Sequence, residues 1–193
     1  MGSIAVWVVA VLVIIAGIVV WRRPLRGRAT PDALKPGQAF AAFEAVDEHA
    51  NPVSELSLKG KPTILLFVRG NWCPFCNAQV ADMTKHYKEI VELGGRLVIL
   101  TPKPLGTTRR VAEMYGVDFE FWLDEGLQVT RQFGLLIEDG VPGKSREDFG
   151  DDAVWPASVV IDSDGVIRFS ELSRAIVDRP SSDKLLRELK KIL

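Results

Sequence analysis

The sequence is poor in the residues that bind metals through thiol and imidazole groups. Only two cysteines and two histidines occur among its 193 residues. A structural zinc site usually takes four such ligands, and Cys73 and Cys76 supply two of them. His86 follows Cys76 by ten positions, which is not a usual zinc-finger spacing, and His49 lies in a turn-rich cluster. The composition argues against structural zinc, and we expect neither a metal nor another cofactor.

The sequence also lacks a broad excess of positive charge. Its formal net charge is −1, from 24 basic and 25 acidic side chains. Four of the arginines fall within residues 22–28, so the rest of the chain is mildly acidic. Because proteins bind nucleic acids through basic surfaces that contact phosphates, this distribution predicts no nucleic-acid partner.

One long stretch has no charged residue at all. Residues 4–21 read IAVWVVAVLVIIAGIVVW, and about 20 apolar residues in a helix span the roughly 30 Å of a bilayer core. No basic side chain precedes this run, and arginine and proline follow it, which favours an uncleaved anchor over a cleaved signal peptide. We predict a transmembrane anchor over 1–21, a basic, proline-containing tether over 22–37 and one compact domain over 38–193.

The basic residues within 22–28 also bear on the side of the membrane where the domain lies. Basic residues next to a membrane span usually stay in the cytoplasm. The sequence therefore favours a single-pass membrane protein with a cytoplasmic domain. The extracytoplasmic (periplasmic) side is the alternative, since membrane-tethered redox domains of bacteria often face that way.

Within the domain, apolar runs of strand length alternate with stretches of helical periodicity. Buried strands are predicted at 62–69, 96–101 and 119–123. The stretches between them, at 74–93 and 107–116, have helical patterns that end in glycine. Helices that separate buried strands imply parallel pairing of those strands.

The two ends of the domain have turn signals typical of antiparallel hairpins. DEHANP at 47–52 separates two apolar stretches near the start, and SDG at 163–165 separates two near the end. Residues 135–153 are polar and glycine-rich, which predicts a long loop. The pattern as a whole predicts an α/β domain, with a central mixed sheet, an N-terminal β-hairpin and flanking helices.

The two cysteines occur in GNWCPFCNAQV, between a predicted strand and a predicted helix. A helix N-terminus has free N–H groups and a partial positive charge, which lower the pKa of a nearby thiol. Pro74 suits the first helical turn, and the spacing of three puts Cys73 and Cys76 on one face. Cys73 would attack a disulfide and Cys76 would resolve the mixed disulfide. Two unreactive buried thiols are the alternative interpretation.

Two side chains near the cysteines are secondary candidates for the site. Trp72 either covers the active site or packs without a chemical role. Arg69 could assist a thiolate, although a surface arginine at a strand end is the simpler interpretation. We therefore consider Trp72 and Arg69 weaker candidates for the site than the two cysteines.

Four segments resemble, in this order, peroxiredoxin-like proteins of the alkyl hydroperoxide reductase/thiol-specific antioxidant (redoxin) group. They are FVRGNWCPFCNAQV, RLVILTPK, FWLDEGLQVTRQFGL and WPASVVIDSDGVIRF. The resemblance covers about residues 36–193 and implies a thioredoxin-like fold within the thioredoxin superfamily. It also implies that Pro156 matches a cis-proline, which would present backbone to a substrate beside the redox pair.

The sequence departs from this family at the positions that act on peroxide. Counting back from Cys73, the motif Pro-x-x-x-Thr/Ser-x-x-Cys requires a proline and a hydroxyl where Leu66 and Gly70 stand. The family's catalytic arginine would fall about where Pro156 stands. Phe67 occupies the position of the buried acid of thioredoxins. The residues that bind and polarise peroxide are therefore not matched.

These observations support three functional hypotheses. The first is a membrane-anchored thiol-disulfide oxidoreductase, whose partners are a protein dithiol or disulfide client and a recycling reductant. The second is a thiol peroxidase, an antioxidant in which Cys73 reduces a peroxide and Cys76 resolves the sulfenic acid. The third is a non-catalytic, tethered thioredoxin-like module that binds a partner.

Overall fold

The computed structural model of the chain describes residues 28–103 and 119–193, together with positions 7, 8, 11–14, 17, 114 and 116. None of the helices that these residues form is long and apolar enough to cross a membrane. The predicted anchor over 1–21 and the predicted helix over 107–116 lie largely outside the described residues.

A seven-stranded mixed sheet lies at the centre of the domain. Its strands are β1 Glu44–Asp47, β2 Pro52–Ser54, β3 Thr63–Phe67, β4 Arg96–Thr101, β5 Glu120–Leu123, β8 Ala157–Ile161 and β9 Ile167–Leu172. Their order in the sheet is β2-β1-β5-β4-β3-β8-β9. Strands β3, β4 and β5 are parallel, whereas the β1–β2 and β8–β9 hairpins are antiparallel. The predicted mixed sheet with an N-terminal hairpin is thus present.

Helices pack against both faces of the sheet. The α-helices of the described residues are α1 Pro74–Thr84, α2 Tyr87–Glu92, α3 Gln128–Gln132, α4 Arg146–Phe149 and α5 Ser182–Lys190. Two apolar layers form the core, and Cys73 and Cys76 belong to the layer that includes buried residues of α1 and α5. The second layer contains the large aromatic side chains Phe40, Phe43, Phe67, Trp122 and Phe133. The redox pair therefore lies within a rigid, packed part of the fold.

The predicted helix over 74–93 is two helices rather than one. Helix α1 ends at Thr84, and α2 begins at Tyr87. His86, between them, has φ −106° and ψ 2°, and its Nε2 lies 3.3 Å from Oδ1 of Asp183 in α5. The break allows His86 to face α5, a tertiary contact that helical periodicity does not reveal.

The predicted long loop over 135–153 contains regular structure. Strands β6 (Leu136–Ile137) and β7 (Ala153–Val154) form a separate two-stranded antiparallel sheet, and α4 lies between them. The predicted long loop therefore includes short regular elements, which could not be predicted because elements of two to four residues are too short to produce a periodic signal.

Candidate active site

Cys73 and Cys76 lie where the chain leaves β3 and enters α1. Cys73 is the N-cap residue of α1, and Pro74 occupies the first helical position. The backbone N–H groups of Cys76 and Asn77 both donate to the carbonyl oxygen of Cys73 at 3.1 Å, which closes the first turn. Both thiols are free, and the two residues are only 1% and 2% exposed. The fold thus buries both sulfurs at a helix N-terminus, where thiolates are stabilised.

Arg69 is half-buried and held between neighbouring groups. Its backbone N–H donates to Sγ of Cys76 at 3.4 Å, and its Nη2 donates to the carbonyl oxygen of Gly140 at 2.7 Å. Its guanidinium carbon lies 4.4 Å from the centroid of the Trp72 ring, a cation–π arrangement. The interpretation of Arg69 as a simple surface residue was wrong, because Trp72 and the Gly140 loop enclose it.

Trp72 both stacks on Arg69 and packs against the core layer that contains the cysteines. Its indole Nε1 is buried and has no acceptor among the described residues. The indole therefore encloses the site and also offers it an unused hydrogen-bond donor.

The fold brings Arg179, which the sequence analysis did not identify, to the sulfur atoms. Its Nη2 lies 3.3 Å from Sγ of Cys76 and 4.0 Å from Sγ of Cys73. Its Nη1 donates to Oγ of Ser173 at 3.0 Å and to the carbonyl oxygens of Ile176 and Asp178 at 2.5 and 2.6 Å. No local pattern marks this arginine, because its position depends on the fold of the loop after β9.

Residues 173–179, which we call the arginine loop, are braced by the carboxylate of Asp178. It accepts hydrogen bonds from the N–H groups of Arg174 and Ala175 at 3.0 and 2.8 Å, and from Oγ of Ser173 at 3.0 Å. Burial opposes ionisation of Asp178, but these hydrogen bonds outweigh it and lower its pKa. Ile176 has φ +66°, which is unfavourable for a β-branched residue. The loop therefore accepts backbone strain at the residue whose carbonyl binds Arg179.

The two thiols have opposite shifts in pKa. A hydrogen bond from the Cys76 thiol lowers the pKa of Cys73 to about 5; burial opposes this shift, and the charges of Arg179 and Arg69 add to it. The pKa of Cys76 is raised, because its thiol donates to Cys73, it is buried and the Cys73 charge is close. At neutral pH Cys73 is therefore the thiolate, and Cys76 holds the proton of the coupled pair.

Gly70 allows an aromatic ring to lie against the backbone before Cys73. Its φ is +109°, and a Cβ at this position would lie 2.6 Å from Cε1 of Phe149 in α4. A threonine or serine here would need both a left-handed backbone and displacement of Phe149. The packing of Phe149 against Gly70 is thus incompatible with the hydroxyl residue of the peroxidatic motif at this position.

Pro156 immediately precedes β8, at the end of the sheet where β3 leads into the redox pair. Ala157 is paired with Phe67, the last residue of β3. No peptide bond among the described residues is cis, so the expectation of a cis bond before Pro156 was wrong. The N–H of Trp155 donates to the carbonyl oxygen of Leu135, and the extended chain enters β8 through the generally more stable trans bond.

The arrangement suits dithiol chemistry. Within residues 28–103 and 119–193, no three His, Cys, Asp or Glu side chains gather as a metal site would require. A buried thiolate, a protonated neighbour and two guanidinium groups are instead the chemical groups at the start of α1.

The sequence matches the AhpC/TSA family over residues 36–170. Peroxiredoxin Bcp of Escherichia coli K12 is 28% identical over 135 residues, which cover 69% of this chain and 83% of that protein. Thiol-disulfide oxidoreductase ResA of Halalkalibacterium halodurans is 28% identical over 102 residues, which cover 52% of this chain and 57% of that protein.

Solved structures of peroxiredoxins share the fold. AhpC of Enterococcus faecalis superposes with a TM-score of 0.63 at 23% identity, over 81% of this chain and 90% of that chain. Peroxidoxin BcpB of Mycobacterium tuberculosis superposes with a TM-score of 0.63 at 24% identity, over 83% of this chain and 99% of that chain. The chain therefore belongs to the AhpC/TSA family, a peroxiredoxin-like group of the thioredoxin superfamily, and is a thiol-dependent oxidoreductase.

Proposed function

We propose that the protein is a membrane-anchored thiol-disulfide oxidoreductase that cycles Cys73 and Cys76 between dithiol and disulfide. The observation that carries this proposal is the position of two free thiols at one helix start, with Cys73 at the N-cap of α1 and Cys76 in its first turn. The Cys73 thiolate attacks a client disulfide and releases one client thiolate. Cys76 then loses its proton and attacks the Cys73 sulfur, which releases the second client thiolate and leaves the Cys73–Cys76 disulfide.

The site contains its own means of activating Cys76 at the second step. The pKa of Cys76 is raised largely through Cys73, which accepts its proton and carries the nearby charge. Once Cys73 is bonded to the client sulfur, that charge is gone. Nη2 of Arg179 and the backbone N–H of Arg69, at 3.3 and 3.4 Å from Sγ of Cys76, then favour its thiolate. No side-chain base is required at the position of Phe67, because the client thiolate or water can take the proton.

Reduction of insulin disulfides by protein supplied with dithiothreitol tests this function. Cys73→Ser should abolish turnover, and Cys76→Ser should trap a mixed disulfide that mass spectrometry detects. Retention of full activity in Cys73→Ser would refute the proposal. A redox-inert pair in the wild type would instead favour the non-catalytic binding module.

A second candidate function, a thiol peroxidase, is favoured by the contact of Arg179 with both sulfurs. The Cys73 thiolate would attack one peroxide oxygen, giving a sulfenic acid and releasing the alcohol or water after protonation. Cys76 would then condense with the sulfenic acid, releasing water and forming the disulfide. Stopped-flow Trp72 fluorescence with hydrogen peroxide tests this reaction. A rate no faster than that of free cysteine excludes a dedicated peroxidase.

The proposed anchor comprises residues 4–21, with the domain on the cytoplasmic side. The uncharged composition of this stretch supports the anchor. The arginines within 22–28 support the cytoplasmic orientation. A topology reporter fused after Leu193 tests the orientation, and extraction that needs detergent tests the anchor. A reporter signal from the extracytoplasmic side would reverse the orientation without affecting the redox proposal.

A further inference from the structure

Arg69 and Arg179, the two arginines beside the redox pair, form no ion pair with a carboxylate among the described residues. Four others form ion pairs with an aspartate or glutamate: Arg96, Arg131, Arg146 and Arg168. Within the described part of the chain, the polar partners of Arg69 and Arg179 are sulfur atoms, backbone carbonyls and one hydroxyl. The carboxylate of Asp178 is turned toward N–H groups of its own loop. The Cys73 thiolate is therefore the negative charge that balances these two cations.

The same site contains three hydrogen-bond donors that have no acceptor. Nε of Arg69, Nε of Arg179 and Nε1 of Trp72 are all buried and unpaired among the described residues. A buried donor without an acceptor is costly, and the cost is relieved by a ligand that supplies an acceptor atom. An oxygen-bearing anion would supply both the missing acceptors and the missing charge.

Oxidation of the cysteines leaves this positive charge unbalanced. When the Cys73–Cys76 bond forms, the thiolate disappears, and both guanidinium groups face a neutral disulfide. This cationic site then adjoins the bond that a recycling reductant must attack. Because the unpaired donors at this site are buried, the anion that accepts from them must belong to a group small enough to reach buried atoms.

The geometry points to a small thiol that carries a carboxylate as the reductant of the Cys73–Cys76 disulfide. Its carboxylate would bind at Arg69 and Arg179 while its thiolate attacks one cysteine sulfur. That attack forms a mixed disulfide and frees the other cysteine as a thiolate. A second thiolate then attacks the mixed disulfide, giving the small-molecule disulfide and the protein dithiol. This inference rests on the proposed dithiol–disulfide cycle and names the class of its electron donor.

A series of thiols that differ in charge tests the inference on the oxidised, full-length protein in detergent. Rates of disulfide reduction are measured with 3-mercaptopropionate, 2-mercaptoethanol and cysteamine. Each rate is divided by that of the same thiol with a neutral small disulfide, which removes differences in intrinsic reactivity. We expect the anionic thiol to react about tenfold faster than the neutral one, since a cationic cleft raises association rates by this order or more. The cationic thiol should be slowest.

Two variants test whether the preference for the anionic thiol arises from the arginines at the redox pair. Arg179→Gln should reduce the advantage of the anionic thiol several-fold. Arg168→Gln removes a charge from β9, where Arg168 pairs with Asp162 at the end of the sheet opposite the redox pair, and should retain the advantage. Added salt should weaken the preference for the anionic thiol in the wild type. This salt dependence tests the inference on the wild type even if Arg179→Gln does not fold.

The outcomes separate this inference from the proposed function. Equal normalised rates for the three thiols would overturn the inference and leave the dithiol–disulfide cycle intact. A disulfide that none of the thiols reduces would refute the proposed cycle, and the inference with it. A preference that survives in Arg179→Gln would show that the carboxylate does not bind at this arginine.

Discussion

Nη2 of Arg179 lies 3.3 Å from Sγ of Cys76, although 103 residues separate the two in the chain. The same nitrogen lies 4.0 Å from Sγ of Cys73. The arginine loop thereby places the positively charged guanidinium of Arg179 beside thiols that already lie at a helix N-terminus. The reactivity of the cysteine motif consequently depends on a distant part of the sequence.

Arg179→Gln should raise the pKa of Cys73 above its value of about 5, because the substitution removes a positive charge that favours the thiolate. The rate of alkylation by iodoacetamide, followed as a function of pH, reports this pKa. The midpoint of the profile should move to higher pH in Arg179→Gln and stay in place in the control Arg168→Gln. An unmoved midpoint in Arg179→Gln would show that the helix N-terminus and Cys76 set the pKa without the arginine.

The reduced protein should become more stable as the pH rises from about 5 to about 8.5. The folded-state pKa of Cys73 is about 5, and that of an unfolded cysteine is about 8.5. A depressed pKa contributes stability that is present above the unfolded pKa and is lost as the pH falls through the folded pKa. The raised pKa of Cys76 acts in the opposite sense, but it removes stability only above the unfolded pKa.

Urea unfolding of the reduced wild type and of the double variant Cys73→Ser/Cys76→Ser isolates the contribution of the two thiols. The difference between their free energies of unfolding should grow from pH 5 to pH 8.5 in favour of the wild type, because other titrating groups are common to both proteins. A constant difference would contradict a depressed pKa at Cys73.

Arg179→Gln should also make the midpoint potential of the Cys73–Cys76 couple more negative. The arginine stabilises the thiolate of the reduced form and gains less from the neutral disulfide. Its removal therefore disfavours reduction, and a tenfold change in the equilibrium corresponds to about 30 mV for this two-electron couple. Equilibration in glutathione buffers, followed by alkylation and mass spectrometry, measures the shift. A potential that moves in the positive direction would contradict this electrostatic account.

Much of the fold could be predicted from the sequence because its central strands are buried on both faces. The run at 96–101 is the observed β4, and the run at 62–69 contains β3, since a buried parallel strand is a continuous apolar segment. The break after Thr84 could not be predicted in the same way. It coincides with the contact of His86 with Asp183, which belongs to a helix about a hundred residues further along the chain.

The candidate site, like the fold, could be predicted from the sequence only where it depends on residues that are close together in the chain. The local spacing of Cys73 and Cys76 is sufficient to place both at a helix start. The setting of Arg69 depends on the Gly140 loop, and that of Arg179 depends on how the arginine loop returns to α1. Neither relation leaves a local pattern, so the environment of Arg69 and the position of Arg179 could not be predicted from the residues around the cysteines.

Gly70→Thr should destabilise the protein by about 1–3 kcal/mol, because a threonine at φ +109° is strained and its Cβ meets the Phe149 ring at 2.6 Å. Phe149→Ala should relieve the steric part of this cost but not the backbone part. In a double-mutant cycle measured by urea unfolding, the two substitutions together should cost less than the sum of their separate costs. Strict additivity would show that Phe149 moves away freely and does not exclude a hydroxyl from this position.

Asp178→Ala should raise the pKa of Cys73 without removing any positive charge from the site. The carboxylate of Asp178 accepts hydrogen bonds from Ser173, Arg174 and Ala175, and these fix the loop whose carbonyls hold Nη1 of Arg179. Without them the guanidinium is free to leave the sulfurs. Asp178 is therefore a positioning residue, and its effect on Cys73 should pass through Arg179.

A double-mutant cycle with Arg179→Gln distinguishes positioning from a direct electrostatic effect. If Asp178 acts only by placing Arg179, adding Asp178→Ala to Arg179→Gln should leave the pKa of Cys73 nearly unchanged, since the group being placed is already absent. A direct effect of the Asp178 charge has the opposite sign, because removing a nearby negative charge lowers the pKa of a thiol. Iodoacetamide profiles of the two single variants and the double variant therefore separate the mechanisms by the direction of the shift. A fall in the pKa of Cys73 in Asp178→Ala alone would reject the positioning role.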